Sequence, residues 1–386
     1  MNRSTGQYES TTVAGEKVDA FTPNALPVRN PPIETEGRLA KRIALAEKAL
    51  SRLDLAAHLV PSLDWFLYAF VRKEAVLSSQ IEGTQATLVD LLSFESGNEE
   101  ANADINEVCN YVDALKYARG QLGSKSGLPL SMRLLNEAHR LLMRGVRGVS
   151  KAPGEIRRSQ NWIGGSRPGN AAFVPPTPAR LPKALEMLEK YIHGKDSLPA
   201  VLRVGLVHVQ FETIHPYLDG NGRIGRLLIS LLFEQWKLLT HPLLYLSLFF
   251  KRNQAEYYRR LSAVRTDGDW EGWLDFFLDG VATVGEESVA TAQDLFVIVT
   301  DDRLKVLRES GSSVAALRLL EALPVQPIVT VATAMRTLNA TKPTAGRAID
   351  VLTAAGVLIE RTGRRRDRSF IYQRYVDRLG DGTQLK

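Results

Sequence analysis

The chain has 386 residues, 44% of them apolar and 24% charged, which is enough apolar material for the cores of two or three soluble domains. The single cysteine, Cys109, excludes an intramolecular disulfide and a cysteine-based metal cluster, as is typical of a reducing compartment. The first residues lack the apolar core of a signal peptide, and Glu234, Lys237 and His241 interrupt the most apolar stretch, 227–250. We therefore expect a cytoplasmic protein with no membrane contact.

The formal net charge of +6 is concentrated at one end of the chain. Residues 361–378, RTGRRRDRSFIYQRYVDR, contain seven arginines and two aspartates and so supply +5 of it. An argument from charge therefore concerns the C-terminal end alone, because the rest of the chain is close to neutral.

Polar and proline-bearing sequence fills residues 1–35, which predicts an extended arm without a core of its own. A helical region is expected over 36–125, because apolar residues recur there at three- and four-residue steps. One of its helices is predicted from about 61 to 83. It begins at Pro61, a residue favoured in a first helical turn, and stops at Gly83.

Proline and glycine cluster in residues 150–180 around two short extended pieces, NWIGG and AAFVPP, which predicts a β-hairpin flap. Helical patterns then resume at 181–193, 198–213, 253–264 and 270–309. The sequence therefore predicts a mainly α fold with one β-hairpin flap in its middle.

The pattern changes after residue 310, where three short helical stretches precede two alternating strands around an arginine-rich turn. This order predicts a winged helix-turn-helix domain over 311–386. In one interpretation TKPTAGRAIDVL is a recognition helix, and the chain is a DNA-binding regulator. In the other, the domain is a protein-interaction or autoregulatory module with a solvated wing. We favour the second interpretation, because one basic wing is little charge for tight DNA binding.

The segment HPYLDGNGRIGR, residues 215–226, lies between two predicted core helices. A loop that ends in GNGR at the start of a helix offers backbone N–H groups and the positive end of a helix dipole, which suits a diphosphate. Glycine at 220 and 222 allows close approach of the backbone to a ligand. The segment therefore predicts a phosphate-binding loop.

The charged and titratable side chains of this loop complete a set for group transfer. Asp219 is a hard oxygen ligand suited to Mg²⁺, and Arg223 and Arg226 can donate forked hydrogen bonds to phosphate oxygens. His215 titrates near neutrality and can accept a proton from an attacking hydroxyl. Together these groups predict phosphoryl or nucleotidyl transfer.

HPYLDGNGRIGR resembles the signature of the Fic (Fic/Doc) family, H-x-F-x-(D/E)-G-N-G-R-x-x-R, with Tyr217 where the family usually has Phe. The resemblance implies a Fic-type helical bundle with a flap, and a catalytic core over 126–310. It also implies an adenylyltransferase that attaches AMP from ATP to a Ser, Thr or Tyr hydroxyl of a protein. Relatives of the Doc branch carry Lys in place of Gly222 and transfer the γ-phosphate, so Gly222 favours adenylylation.

The same resemblance implies a role for each residue of the loop. His215 would be the general base, Asp219 the Mg²⁺ ligand, and Arg226 the contact of the γ-phosphate. Asn221 and the backbone of 220–222 would hold the α- and β-phosphates, which Arg223 would steady. The residues expected to bind ATP are therefore Gly220, Asn221, Gly222, Arg223, Ile224, Gly225 and Arg226, with Tyr257 at the adenine and Val174 contributed by the flap.

The stretch SSQIEG resembles the inhibitory pattern (S/T)-x-x-x-E-(G/N) of adenylylating Fic proteins through Ser78, Glu82 and Gly83. Taken alone, the pattern is an ordinary helix end. With the loop motif present, we expect Glu82 to form a bidentate pair with Arg226 and to repel the γ-phosphate, which would inhibit transfer.

Two interpretations remain open for several parts of the chain. The flap piece AAFVPPTP is either a strand that aligns an extended target segment or a plain structural hairpin. Tyr257 is either an adenine contact or a core aromatic residue, whereas His139 and His208 are expected to be core or surface residues. The expected partners are ATP and a protein target, with auto-modification, and homo-oligomers stay open. The rival is a DNA-binding regulator with the Fic core as a nucleotide sensor.

Overall fold

The structure is a computed structural model that describes residues 3–59, 62–97, 102–145, 151–363 and 367–385. Most of it is helical, and the strands form two small antiparallel sheets. The mainly α fold predicted from the sequence is thereby confirmed. Within the described ranges, no helix is both long and apolar enough to cross a membrane.

The N-terminal region contains a β-hairpin, which the expected extended arm over 1–35 did not include. Strands β1 (Gly6–Val13) and β2 (Glu16–Pro23) pair antiparallel along their whole length. The segment carries β-branched residues at Thr11, Thr12, Val13 and Val18, and such residues favour strands. Its composition hides a small buried cluster because the cluster is completed by Val174, which lies far away in sequence.

The helical bundle consists of elements that follow the predicted periodicity closely. Its helices are α1 (Arg38–Leu59), α2 (Leu63–Ile81), α3 (Leu88–Glu95), α4 (Ala103–Gly123), α5 (Met132–Leu142), α6 (Leu181–His193), α7 (Ala200–Ile214), α8 (Asn221–Gln235), α9 (Ser247–Arg252), α10 (Gln254–Asp267) and α11 (Trp270–Arg308). The start of α2 predicted at Pro61 lies outside the described residues.

Helices α7 and α8 form the centre of the bundle and pack against each other. Every residue of α7 from Val204 to Ile214 is buried, as expected for a helix with apolar residues on all sides. Helix α11 packs along α1 and α7 and continues to the C-terminal elements. The short segment between α7 and α8 is therefore held at both ends by the most buried helices of the molecule.

The flap predicted over 150–180 contains only a minimal β-ladder. Ile163 and Phe173 form one antiparallel bridge around a 3₁₀ turn at Pro168–Asn170. The prolines that follow Val174 lack N–H donors and so cannot extend the ladder. Residue 150 lies outside the described part of the chain.

The C-terminal elements follow α11 in the order helix, strand, helix, helix, strand, strand, helix. They are α12 (Val314–Ala322), β3 (Ile328–Thr330), α13 (Val331–Leu338), α14 (Lys342–Ala354), β4 (Ile359–Glu360), β5 (Ser369–Ile371) and α15 (Gln373–Gly380). The sheet order is β3-β5-β4, so β3 and α15 are additions to the predicted pattern. The winged-helix assignment stays a prediction, and the arginines at 364–366 lie outside the described residues.

Candidate active site

A short loop between α7 and α8 carries the predicted catalytic motif. His215 ends α7 with a left-handed backbone, at φ 51°, and Gly220 precedes α8 at φ 77°. A Cβ atom at Gly220 would lie 2.9 Å from the Met143 sulfur, so this position needs glycine. A non-glycine residue at positive φ is strained, and such strain is concentrated at functional sites.

The side chain of Asn221 closes this loop. Its Oδ1 accepts the Tyr217 N–H at 2.8 Å, and its Nδ2 donates to the Tyr217 carbonyl at 2.8 Å. Tyr217 is fully buried, and its hydroxyl donates to Asn136 Oδ1 at 2.9 Å. Asn221 therefore holds the loop's own backbone, a role that differs from the phosphate contact expected of its side chain.

His139 on α5 supports the loop from below. Its Nδ1 accepts the Gly154 N–H at 2.8 Å, so Nε2 carries the proton and donates to the Asp219 carbonyl at 2.9 Å. The ring stacks on Tyr217 with centroids 3.9 Å apart, and burial lowers the pKa of His139 to about 4. His139 is thus a neutral core residue, as expected, but its support of the loop was not predicted.

The ring of His215 is neutral and has one free nitrogen in this arrangement. Nδ1 lies 3.3 Å from the Glu212 carbonyl, which can only accept, so Nδ1 is the protonated nitrogen. Burial lowers the pKa of His215 to about 4. Nε2 therefore has a lone pair available at neutral pH, which a general base requires.

Arg226 and Glu82 are in contact, as the sequence predicts. Arg226 Nη2 donates to Glu82 Oε1 at 2.6 Å and to the Ser78 carbonyl at 2.9 Å, while Nε donates to Ser78 Oγ at 2.9 Å. The contact with Glu82 uses one nitrogen, so the expected bidentate geometry is wrong, because Ser78 accepts from Nε. Burial raises the pKa of Glu82, but neighbouring positive charge, chiefly the charge and the hydrogen bond of Arg226, outweighs burial and holds the pKa below its usual value.

Helix α2 ends at the contact between Glu82 and Arg226, and Gly222 in α8 leaves space for the Glu82 carboxylate. Glu82 is the C-cap residue of α2, and Gly83 follows with φ 97°. A Cβ atom at Gly222 would overlap Glu82 Oε1 and lie 2.9 Å from Arg226 Nη1. Glycine at 222 is therefore a condition for the contact between Glu82 and Arg226.

Arg223 and Asp219 lie on the other side of the loop. Arg223 is buried, and its Nη1 donates to Glu107 Oε2 at 3.1 Å, while Nη2 lies 3.8 Å from Asp219 Oδ1. Asp219 Oδ1 accepts the Gly220 N–H at 2.6 Å, and the Asp219 side chain is 45% exposed. Over the described ranges no cluster of His, Cys, Asp or Glu could hold a metal ion alone, so Asp219 would share a metal with ligand oxygens.

Two residues predicted to contact ATP lie in the core. Tyr257 is 1% exposed, its hydroxyl lies 2.8 Å from Nε2 of buried His208, and its ring stacks on Phe250. Val174 packs against the N-terminal hairpin. The core interpretation of Tyr257 is therefore favoured, whereas the contact of Val174 with nucleotide stays a prediction, because the hairpin covers Val174 in this arrangement.

Three charged residues at the site were missed by sequence reasoning. Burial raises the pKa of Glu212, one turn before His215, to about 7. Arg157 Nε donates to the His215 carbonyl at 3.0 Å and Nη2 donates to the Pro176 carbonyl at 2.5 Å, which joins the flap to the loop. The Arg265 guanidinium lies 4.0 Å above the Phe173 ring. Glu212 adjoins the motif, but Arg157 and Arg265 lie in segments that carry no pattern.

Comparison with known proteins matches the same parts of the chain. The family model "Fic/DOC family N-terminal" matches residues 40–120, and the model "Fic/DOC family" matches residues 129–233. A "Protein adenylyltransferase Fic" of Drosophila grimshawi is 29% identical over 176 residues, which are 45% of this chain and 33% of that protein. The Drosophila melanogaster protein of the same name is 28% identical over 205 residues, 52% of this chain and 38% of that one.

Solved structures share the fold. A Fic family protein from Desulfovibrio desulfuricans has a TM-score of 0.58 at 20% identity, over 89% of this chain and 98% of that one. A Fic domain containing signaling protein from Bacteroides thetaiotaomicron has a TM-score of 0.51 at 20% identity, over 64% of this chain and 95% of that one. The chain spans only about a third of the first curated relative, at 33% of its length. The matches to both family models, the curated relatives and the shared fold together support a Fic family protein.

Proposed function

We propose that the chain is a protein adenylyltransferase, which transfers AMP from ATP to a Ser, Thr or Tyr hydroxyl of a protein. The observation that carries the proposal is the neutral His215, whose free Nε2 lies at the end of α7 beside the N-terminus of α8. The names of the curated relatives support the same activity at modest identity.

The reaction divides between the base and the phosphate-binding loop. The target hydroxyl oxygen attacks the α-phosphorus, His215 Nε2 takes the hydroxyl proton, and pyrophosphate leaves with the electron pair of the broken P–O bond. The N–H groups in the first turn of α8 lack partners within the helix and can bind phosphate oxygens. We assign phosphate binding to this backbone and to Arg223, because the Asn221 side chain is engaged by Tyr217.

Mg²⁺ fits the side chain at the edge of the loop. Asp219 keeps an exposed carboxylate beside the phosphate-binding backbone, and oxygen is the ligand that Mg²⁺ prefers. When bound, Mg²⁺ would neutralise charge on the phosphates. Asp219 would hold the ion next to them.

We further propose that Glu82 restrains this activity. Arg226 would bind the γ-phosphate, but its Nη2 already donates to Glu82, whose negative charge also repels a phosphate. In this arrangement ATP binds without the alignment that in-line attack requires.

The position of the transferred label tests the proposed function. The Glu82→Gly protein is incubated with total protein from a cell lysate and ATP labelled on either the α- or the γ-phosphate. We expect α-label, but not γ-label, to enter protein above the level of a parallel reaction with His215→Ala, which accounts for the lysate's own kinases. Incorporation of γ-label above that level would replace the proposal with a phosphotransfer reaction.

A further inference from the structure

The flap has an outer strand edge that the chain itself occupies. Phe173 exchanges both of its backbone hydrogen bonds with Ile163, at 2.8 and 3.1 Å. Because backbone groups alternate along a strand, the next residue, Val174, directs its carbonyl to the opposite edge. That carbonyl accepts the Phe21 N–H of β2 at 2.9 Å, so one backbone hydrogen bond joins the N-terminal hairpin to the outer edge of the flap.

Side chains attach the hairpin to the flap at three further points. Val13, Val18 and Ala20 pack against Val174 in a small apolar cluster. The Phe21 ring meets the Phe173 ring edge to face. At the turn of the flap, Glu16 accepts the Gly169 N–H at 3.1 Å and pairs with Arg167. Both ends of the hairpin are fixed to the bundle, because Thr5 Oγ1 donates to the Arg265 carbonyl at 2.7 Å and the Asn24 carbonyl accepts from Gln210. Between these anchors the strands meet the flap only through the small contacts above, so the strands can lift from the flap while their ends stay in place.

The occupied edge lies next to the catalytic base. Arg157 joins the flap to the backbone of His215 through its bonds to the Pro176 and His215 carbonyls. On α7, Gln210 donates to the Asn24 carbonyl at 2.8 Å, which fixes the segment after β2 near the same helix end. The hairpin therefore covers the flap where the flap approaches His215.

We propose that the N-terminal hairpin is an intramolecular occupant of the flap edge at which an extended segment of a target protein adds as a strand. The hairpin strands must lift from the flap before a target hydroxyl reaches His215. An extended polypeptide is the partner that this edge fits, because main-chain hydrogen bonds give affinity whatever the side chains are. The inference rests on the proposed adenylyl transfer and adds a second restraint, separate from Glu82.

A reversible lock tests the inference. The Glu16 carboxylate lies beside Gly169, so cysteines at both positions can be joined by a short thiol-reactive crosslinker that contains a reducible disulfide, and the same reagent is used for the control. The lock, Glu16→Cys with Gly169→Cys, is built in the Glu82→Gly protein with Cys109→Ser, which removes the single native thiol. Transfer of α-label from ATP to total lysate protein is measured with and without reductant, and ATP binding is measured in both states.

The matched control joins the hairpin only to itself. Thr12 and Lys17 face each other across β1 and β2, so cysteines at these positions staple the hairpin without attaching it to the flap. We expect the locked protein to transfer at least roughly ten-fold more slowly when crosslinked than when reduced, with ATP binding unchanged, and the control to show no such difference. Equal rates in the crosslinked and reduced locked protein overturn the inference.

A second variant tests the inference even if the two cysteines do not become joined. Phe21→Ala removes the ring contact with Phe173 and loosens the hairpin, so transfer to lysate protein should rise several-fold in the Glu82→Gly background. An unchanged or lower rate overturns the inference. If the reduced proteins transfer no label at all, the proposed function fails together with the inference that rests on it.

Discussion

Single residues at the site are held by neighbours both near and far along the chain. The Glu212 carbonyl fixes the tautomer of His215, and Arg157 holds its backbone. His139 supports the Asp219 carbonyl from α5. The groups proposed for catalysis are therefore held in place by the protein itself, which would lower the reorganisation that the proposed reaction requires.

The low pKa of His215 predicts the pH dependence of transfer. A base whose pKa lies near 4 stays unprotonated from pH 8 down to about pH 5, so kcat should be flat over this range and fall only below it. We would measure kcat of the Glu82→Gly protein at saturating ATP between pH 4.5 and 8. A midpoint near pH 6.5, the usual value for histidine, would contradict this assignment.

Glu212, one turn before His215, leads to a separate prediction about the pH dependence of stability. Burial raises its pKa to about 7, so its folded state prefers the proton, and the stability it contributes is present at low pH and is lost as the pH rises to 7. Glu212→Gln keeps the shape without titration. It should therefore gain stability relative to the wild type, by up to about 3 kcal/mol, as the pH rises from 4.5 to 8. Thermal unfolding of both proteins across this range would show a constant difference if Glu212 does not titrate there.

How much the sequence predicts about these residues depends on how far apart they lie along the chain. His215, Asp219 and Arg226 lie in one contiguous motif, where order alone indicates their chemistry. Arg157 could not be found, because it acts through backbone contacts made by an irregular segment. The geometry of the contact between Glu82 and Arg226 could not be predicted either. Only one nitrogen of Arg226 donates to Glu82, because Ser78 accepts from Nε of the same guanidinium.

At the scale of elements, α7 and α8 hold the two ends of the loop. Glu82 at the end of α2 contacts Arg226, and His139 on α5 supports the Asp219 carbonyl. Periodicity predicts these helices well, because each buries a continuous apolar face. The N-terminal hairpin was missed because its few buried residues complete their cluster with Val174. The flap was predicted longer than it is, because prolines at 175 and 176 end its ladder.

The contact between α5 and the loop predicts the effect of His139→Phe. Phenylalanine keeps the stacking on Tyr217 but leaves the Asp219 carbonyl and the Gly154 N–H without their partner. Each unmet buried group costs about 1–3 kcal/mol, so the free energy of unfolding should fall by at least that amount. Urea unfolding of His139→Phe and the wild type measures it. Stability equal to the wild type would mean that water or a shift of the loop replaces the imidazole.

Over the whole molecule, the C-terminal end contacts the end of α2 that carries Glu82. Gln80 donates to the Thr383 carbonyl at 2.8 Å, and Lys251 donates to Gln80 Oε1 at 2.6 Å and to the Gln384 carbonyl at 2.8 Å. The elements after α11 therefore contact the proposed inhibitory residue's own helix. Sequence patterns could not reveal this, because Gln80 and Thr383 lie at opposite ends of the chain.

This contact predicts that loosening the C-terminal end raises transfer. Gln80→Ala removes the bonds to Thr383 and Lys251 two residues before Glu82, so Glu82 should leave Arg226 more often and auto-modification should increase several-fold. Gln121→Ala, at an amide on α4 that accepts the Leu128 N–H instead, is the control and should not activate. Equal auto-modification in Gln80→Ala and the wild type would show that the C-terminal elements do not control the site.

The most direct measurement compares auto-modification from α-labelled ATP in the wild type, Glu82→Gly, Arg226→Ala and the double variant. A partly buried contact between a carboxylate and a guanidinium contributes about 1.5–3 kcal/mol, so Glu82→Gly should be roughly ten- to a few-hundred-fold faster than the wild type. The double variant should lose this gain, because no guanidinium is left for the γ-phosphate. A Glu82→Gly protein no faster than the wild type, or a double variant as fast as Glu82→Gly, would contradict restraint of Arg226 by Glu82.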